Sequence, residues 1–363
     1  MARRGAARRS PSELIGSDPS SVRGPGSAQE RCPVLKDLSS LRLIDVHHHV
    51  VLPEYEAALV RSGAADPSRP LRKNSSPQAA LRSMAELGID AAILNALSVA
   101  GVHHGDDADA CYLTETTNEA LARFASCAPD KLGFFAALPV PDIDGALRQM
   151  ERALDTLHAD GIVLLSNQNG FYVGDLAFEP LYAEMHRRSV IAFVHPASPG
   201  YVPALRLNLW AAYVEYPFET TRVAANLIYN GIMARYPGIR WILAHAGGAL
   251  PYLSVRLRLM EESDKAVPPF IERVPQGVTP YLKAFYFDVA LAGGAAPMAA
   301  LMETADPSHI LYGSDWPYLP PGYIGDQLAN LVGLAQFQGA CLGPLEWRNA
   351  AQLFRRFAGR LEQ

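Results

Sequence analysis

The sequence has few cysteines, no long apolar run and no excess of basic residues. Only four cysteines occur in 363 residues, at Cys32, Cys111, Cys127 and Cys341, and none belongs to a CxxC motif. No apolar run approaches the ~20 residues that a membrane-spanning helix needs. The net charge of -5 gives no basic surface for nucleic acid. We therefore expect a cytosolic protein with reduced thiols that binds neither membranes nor nucleic acids.

Residues 1–40 have few of the apolar side chains from which a folded core is built. The segment is rich in Arg, Ser, Gly and Pro. We expect it to be disordered or loosely packed, because it cannot bury enough surface to offset its ordering entropy. Two arginine pairs near its start suggest an export signal, but no apolar stretch follows them. We assign residues 41–363 to one large folded domain.

From Leu41 onward, short apolar runs alternate with stretches of helical spacing. Runs that are apolar on both faces are typical of parallel strands covered by helices. The predicted strands are 43–47, 91–96, 132–138, 161–165, 190–195, 240–245, 284–289 and 310–314. Eight strand–helix units predict a (β/α)8 barrel of the TIM type, with a doubly wound open sheet as the alternative. An open sheet usually has a Gly-rich phosphate turn after its first strand, and here that turn is His-rich.

Helical spacing is found between the predicted strands. The predicted helices are 77–87, 114–128, 143–157, 180–188, 220–235, 296–303 and a closing helix at 343–358. Two segments, 51–76 and 200–218, depart from the repeat. We predict both as long loops on the catalytic face of the barrel, where substrate walls are built.

Histidine or aspartate ends four of the predicted strands. His47 and His49 are two residues apart, so both project to the same side of the first strand. His195 and His245 end the fifth and sixth strands, and Asp315 follows the eighth. The carboxyl ends of barrel strands meet at one face, so these side chains should surround one point. His47 and His49 would there form half of a metal site, the alternative being a solvated strand end.

The motifs that carry these residues resemble those of the amidohydrolase superfamily. "DVHHH", "FVHP", "LAHAGG" and "YGSDWP" occur in the order of the branch that contains aminocarboxymuconate semialdehyde decarboxylase and the aromatic-acid decarboxylases. The resemblance extends from Leu41 to Ala358. Within it, the run from Glu215 to Leu253 is similar to 6-methylsalicylate decarboxylases.

The resemblance implies a metal-dependent carboxy-lyase without an organic cofactor, acting as a homodimer on a small hydroxylated aromatic acid such as 6-methylsalicylate. A hydrolase of a lactone or amide would use the same motifs and is the alternative. A barrel that binds its ligand without catalysis would be expected to lack a metal ligand, and none of the motif residues is missing.

The resemblance also implies the residues of a metal site. His47, His49, His195 and Asp315 would hold one divalent metal, zinc in first place and manganese as the alternative. His245 would act as an acid or base, and Asp315 is the candidate that protonates the ring carbon. Superfamily members with two metals often carry a lysine at the end of the fourth strand. No lysine ends that predicted strand here, so we expect a mononuclear site.

Further residues are implied around the substrate. Arg256 would reach a substrate carboxylate across a dimer interface, and the alternative is an arginine on a surface helix. Tyr318 matches an aromatic wall of the substrate pocket, and Trp210 matches another one loosely, offset by one position. Asp288, near the end of the seventh predicted strand, would either orient a ligand histidine or cap a loop.

Overall fold

The computed structural model describes residues 42–63, 76–97, 101–262, 270–334 and 344–362. The predicted N-terminal extension, Cys32 and Cys341 lie outside these ranges, and the expected disorder of residues 1–40 stays a prediction. Within the described residues, Cys111 and Cys127 are free thiols. No helix in these ranges has the length and apolar character that a membrane span requires.

Eight parallel strands form one sheet in the order β1-β2-β3-β4-β7-β8-β9-β10. These strands are β1 (Leu43–His49), β2 (Ile89–Asn95), β3 (Leu132–Ala137), β4 (Gly161–Leu165), β7 (Ile191–His195), β8 (Arg240–Leu243), β9 (Tyr286–Asp288) and β10 (Ile310–Leu311). The segment after β10 bonds back to β1, since Val46 N donates to Tyr312 O at 3.0 Å and Asp315 N donates to His47 O at 2.9 Å. The predicted (β/α)8 barrel is confirmed, and each predicted strand is present with small changes at its ends.

Helices follow the strands and cover them. They are α1 (Pro53–Arg61), α2 (Pro77–Glu86), α3 (Asp107–Ser126), α4 (Ile143–Glu151), α5 (Glu179–Arg188), α6 (Ala211–Tyr229), α7 (Ile232–Arg235), α8 (Leu250–Leu257), α9 (Phe270–Arg273), α10 (Val278–Ala284), α11 (Ala295–Thr304), α12 (Pro321–Gly333) and α13 (Asn349–Leu353). Every residue of β1, β3, β4 and β7 is buried, as the continuous apolar runs predict. A short hairpin, β5 (Asn167–Gln168) with β6 (Phe171–Tyr172), follows β4.

Side-chain caps fix where several helices begin. Ser76 accepts a hydrogen bond from Ala79 N at the start of α2, and Asp106 accepts one from Asp109 N at the start of α3. Each cap satisfies an amide that has no partner inside its helix. The helices therefore begin where short polar side chains follow the loops.

Three segments differ in kind from their predictions, and α3 begins seven residues before its predicted start at residue 114. The first predicted loop, 51–76, contains α1, and its residues 64–75 lie outside the described ranges. The second, 200–218, is helical from Ala211, because α6 continues through Pro217, whose carbonyl accepts a hydrogen bond from the Thr221 hydroxyl at 2.8 Å. The predicted closing helix consists instead of a π turn, α13 and a final 3-10 segment. Asn349 anchors it by donating to Pro307 O and Ile310 O.

Candidate metal centre

β1 delivers His47 and His49 to the carboxyl end of the barrel. Both side chains are buried, and their Nε2 atoms are 3.1 Å apart. Strand alternation sends His48 to the opposite side, where its Nδ1 lies 2.9 Å from Asp45 Oδ2. The HxH spacing therefore pairs two imidazoles, as predicted, and the middle histidine pairs with Asp45 instead.

His195 of β7 and Asp315, after β10, complete a buried cluster with these two histidines. The ligand atoms of His47, His49, His195 and Asp315 all lie within 4.8 Å of one another. Asp315 Oδ1 is 3.2 Å from His47 Nε2 and 3.3 Å from His49 Nε2. This oxygen is buried and has no hydrogen-bond partner among the described residues. Tetrahedral ligands about 2.0–2.2 Å from a metal are roughly 3.3–3.6 Å apart, close to these separations, so the donor set fits one metal ion.

Hydrogen-bond acceptors orient two of the rings. His195 Nδ1 donates to the Pro196 carbonyl at 2.9 Å, and His47 Nδ1 donates to Asp288 Oδ2 at 3.0 Å. A carbonyl and a carboxylate only accept, so each ring holds a proton on Nδ1 and presents Nε2 to the cluster. This is the orientation that a metal-binding histidine needs.

The electrostatics of the cluster favour a cation at its centre. Burial lowers the pKa of His49 and of His195, which keeps both rings neutral. Burial also lowers the pKa of His47, but the carboxylates of Asp288 and Asp315 outweigh it and raise that pKa to about 10. Burial raises the pKa of Asp315, but the charge of His47 holds it well below its ordinary range. A divalent ion would supply the positive charge that a proton on His47 otherwise provides.

His245 stands beside the cluster. β8 ends at Leu243, two residues earlier than predicted, and the chain turns at His245 and Ala246 with φ of 57° and 55°. His245 Nε2 is 3.6 Å from Asp315 Oδ2, and Asp315 itself has a φ of 55°. Left-handed backbone at non-glycine residues costs free energy and is concentrated at functional sites.

One buried carboxylate holds both the cluster and the His245 turn. Asp288 Oδ2 bonds His47 Nδ1, while Asp288 Oδ1 accepts from His245 N at 3.2 Å and from Ala290 N at 3.0 Å. Both alternatives for Asp288, orienting a ligand histidine and capping a loop, are therefore present in the same side chain.

Asp45 and Gly313 are site residues that the sequence interpretation missed. Asp45 Oδ1 accepts from the backbone amides of His47 and Ser314, each at 3.0 Å, and so ties β1 to the segment that carries Asp315. A Cβ atom at Gly313 would lie 2.9 Å from His47 Cβ and 3.0 Å from Asp288 Cβ. The available signals were the Asp two residues before His47 and the Gly two residues before Asp315.

The residues predicted to contact substrate are not all gathered at the cluster. The Tyr318 ring lies 4.8 Å from the His49 ring in a T-shaped contact. Trp210 is 75% exposed and stacks on Tyr213, with ring centroids 6.2 Å apart. Arg256 is exposed on α8. In the single chain, only Tyr318 of the three adjoins the cluster.

Tyr216 on α6 contributes a second phenol near the cluster, from a segment that was predicted as a loop. Burial, and to a lesser extent the charge of Asp315, raises the pKa of Tyr216. Burial and Asp315 raise the pKa of Tyr318 in the same way. Ser198 Oγ is 3.3 Å from the Tyr216 hydroxyl. Both tyrosines therefore lie close enough to Asp315 for its charge to act on their hydroxyls.

Comparison with known proteins places this geometry in context. The amidohydrolase family matches residues 44–356. The 6-methylsalicylic acid decarboxylase of Penicillium expansum is 32% identical over 325 residues, which cover 88% of this chain and 98% of that protein. A crystal structure of an amidohydrolase II has a TM-score of 0.78 at 29% identity, covering 86% of this chain and 99% of that one. A dihydroxybenzoic acid decarboxylase from Polaromonas with bound manganese has the same fold, with a TM-score of 0.72 at 23% identity and coverages of 87% and 97%.

Proposed function

The chain belongs to the amidohydrolase family, and from this premise we propose that it is a metal-dependent decarboxylase of a small hydroxylated aromatic acid, with 6-methylsalicylate as the first candidate. The observation that carries the proposal is the buried cluster of His47, His49, His195 and Asp315 beside His245. The 32% identity to a 6-methylsalicylic acid decarboxylase, over nearly its whole length, supports the substrate class.

We propose one divalent ion held by His47, His49, His195 and Asp315. Three imidazoles with one carboxylate suit zinc, and manganese is the alternative because it is bound in the Polaromonas decarboxylase. When bound, such an ion supplies Lewis acidity and a template for the carboxylate and neighbouring hydroxyl of an ortho-hydroxy acid.

The protein side chains would deliver one proton to the substrate ring. A proton delivered to the ring carbon that bears the carboxylate interrupts aromaticity. Cleavage of the C–C bond then leaves its electron pair in the ring, restores aromaticity and releases CO2. His245 and Asp315 are the candidates that hold this proton, with Nε2 and Oδ2 3.6 Å apart. Although burial raises the pKa of Asp315, the charge of His47 holds that pKa low, which opposes protonation of Asp315 and favours His245. Tyr318 would form the wall against which the ring lies.

We also propose that the protein is a homodimer. The helices α6 and α8 and the 3-10 segment Arg258–Glu262 after α8 expose large apolar side chains, and the supporting examples are Tyr213, Tyr252, Val255 and Leu259. Tyr213 and Tyr252 line a cavity of about 500 Å³ together with His245. Contiguous exposed apolar surface of this kind marks interaction sites. Arg256 is on α8 as well, and a partner subunit would give it the substrate contact that it lacks in one chain.

Cys111 and Cys127 are free thiols, which supports the cytosolic location proposed from the sequence.

The proposed function is tested with metal-quantified protein and a panel of 2-hydroxybenzoates that includes 6-methylsalicylate. CO2 and the matching phenol are measured together. Equal amounts of both from one member of the panel, and none from its 4-hydroxy isomer, are the expected result. Bound metal without CO2 from any acid would contradict the decarboxylase and direct the next panel to lactones and amides.

A further inference from the structure

Glu219 on α6 is a fully buried carboxylate outside the metal cluster. Its Oε2 accepts from Asn167 Nδ2 at 2.7 Å and from Ser166 Oγ at 3.1 Å. Its Oε1 accepts from Arg222 Nη1 at 2.6 Å and from the Tyr172 hydroxyl at 2.8 Å. A buried charge is tolerated only with such donors. Glu219 therefore joins α6 to the end of β4 and to the β5–β6 hairpin.

Ser166 connects the Glu219 carboxylate to the segment after His195. Its backbone N donates to His195 O at 2.8 Å, and its hydroxyl accepts from Ala197 N at 2.9 Å. A serine hydroxyl has one hydrogen, which Glu219 fixes by accepting it. The serine lone pairs are then free to face Ala197 N–H. Glu219 thereby sets the first turn of residues 196–201, which we name the His195 loop.

The His195 loop is attached to α6 at further points. The Tyr201 hydroxyl donates to Glu215 Oε2 at 2.8 Å, and the Arg222 guanidinium lies 5.4 Å from the centroid of the Tyr201 ring. Ser198 Oγ is 3.3 Å from the Tyr216 hydroxyl. Arg222, which is itself exposed, contacts both Glu219 and Tyr201, so one side chain links the buried Glu219 carboxylate to the loop.

We propose that Glu219 is a positioning residue that fixes the His195 loop, and with it Tyr216, in the geometry that the substrate pocket requires. It acts through Ser166 and Arg222 and does not touch the reacting atoms. The inference rests on the proposed decarboxylation, since Tyr216 near Asp315 matters only if that space holds the substrate. Both Glu219 oxygens accept hydrogen bonds, so a neutral amide would place its NH2 group against two of these donors. The arrangement therefore depends on the negative charge of Glu219.

Glu219→Gln tests the charge while preserving size. We expect about one metal per chain to remain bound, because His195 stays within β7. We also expect a higher KM and a kcat/KM lower by roughly tenfold to a hundredfold, since small misplacements of binding groups have effects of this size. Amide hydrogen exchange at Ala197 and Ser198 should become faster. Glu184→Gln on α5 is the matched control, because Glu184 also pairs with arginines but on the outer surface.

Ser166→Ala is the second variant, should Glu219→Gln fail to fold. It removes the relay and leaves Glu219 bonded to Asn167, Tyr172 and Arg222, so the same kinetic and exchange changes are expected. A lower melting temperature with unchanged KM and kcat, with or without faster exchange, would overturn the inference. If the wild-type protein releases CO2 from no hydroxybenzoate, the proposed function fails separately. The exchange rate at Ala197 then still decides whether Glu219 holds the loop.

Discussion

Asp288→Asn tests whether the Asp288 carboxylate prepares His47 to bind a metal. The side chain keeps its shape, and its amide oxygen can still accept from His245 N and Ala290 N, as Asp288 Oδ1 does at 3.2 Å and 3.0 Å. The amide NH2 then faces His47 Nδ1, where a carboxylate oxygen stood at 3.0 Å. Because NH2 only donates, His47 must hold its proton on Nε2. A protonated Nε2 cannot bind a metal.

The expected loss of metal affinity in Asp288→Asn follows from these contacts. Turning the amide over would restore the bond to His47 but would place NH2 against two backbone N–H donors, so neither orientation is satisfied. The charge-assisted hydrogen bond that is lost is worth about 1.5–3 kcal/mol. Removing the outer partner of a metal-binding histidine typically costs 10–100-fold in metal affinity or activity. We therefore expect metal affinity to fall by roughly 10–100-fold, while kcat at saturating metal changes less, because the amide oxygen can still hold the His245 turn.

The assay is competition with a chelating dye, which gives the metal dissociation constant, together with CO2 release at saturating metal. Asp160→Asn is the matched control, since Asp160 is a partly buried aspartate that bonds Arg356 and Phe134 N just before β4, at the opposite end of the barrel. It should lower the melting temperature and leave metal affinity unchanged. Metal affinity within twofold of wild type in Asp288→Asn, or an equal loss in both variants, would refute the reasoning.

Four further substitutions test the site. His47→Ala and Asp315→Asn should each abolish CO2 release, and metal analysis of His47→Ala should show loss of the ion, whereas full occupancy with activity would contradict the ligand assignment. His245→Gln should retain the metal and lower kcat by about 10²–10⁴-fold, and a metal-free variant would argue that His245 is a ligand instead. Gly313→Ala should weaken metal binding and lower stability by about 1–3 kcal/mol in thermal unfolding, because its Cβ would lie 2.9 Å from His47 Cβ; an unchanged melting temperature would contradict the steric argument.

The barrel and its cluster were predictable because each rests on a local rule. Continuous apolar runs of five to seven residues indicated strands covered on both sides, and the structure buries them completely. The i, i+2 spacing of His47 and His49 was enough to place both on one side of β1. His195 and Asp315 could be added because parallel strands bring their carboxyl ends to one face.

The supporting contacts were only partly predictable, because they join residues far apart in the chain. Asp45 meets Ser314, which is 269 residues later, and Asp288 meets His47 across 241 residues. The position of Asp288 near a strand end left both the orientation of a ligand histidine and the capping of a loop open, and only the closed barrel shows which partners Asp288 and Asp45 have. The helix through Pro217 was missed for a different reason: proline argues for a loop, and tertiary contacts of α6 override that local preference.

We propose that decarboxylation by this protein depends on one metal ion, held by His47, His49, His195 and Asp315. The most direct test is to remove the metal with a chelator, return zinc or manganese in measured amounts and follow CO2 release from 6-methylsalicylate. We expect no CO2 release without metal, and a rate of CO2 release that rises linearly with added metal and stops rising at one ion per chain. Full CO2 release from metal-free protein, or a rise that stops only at two ions per chain, would contradict it.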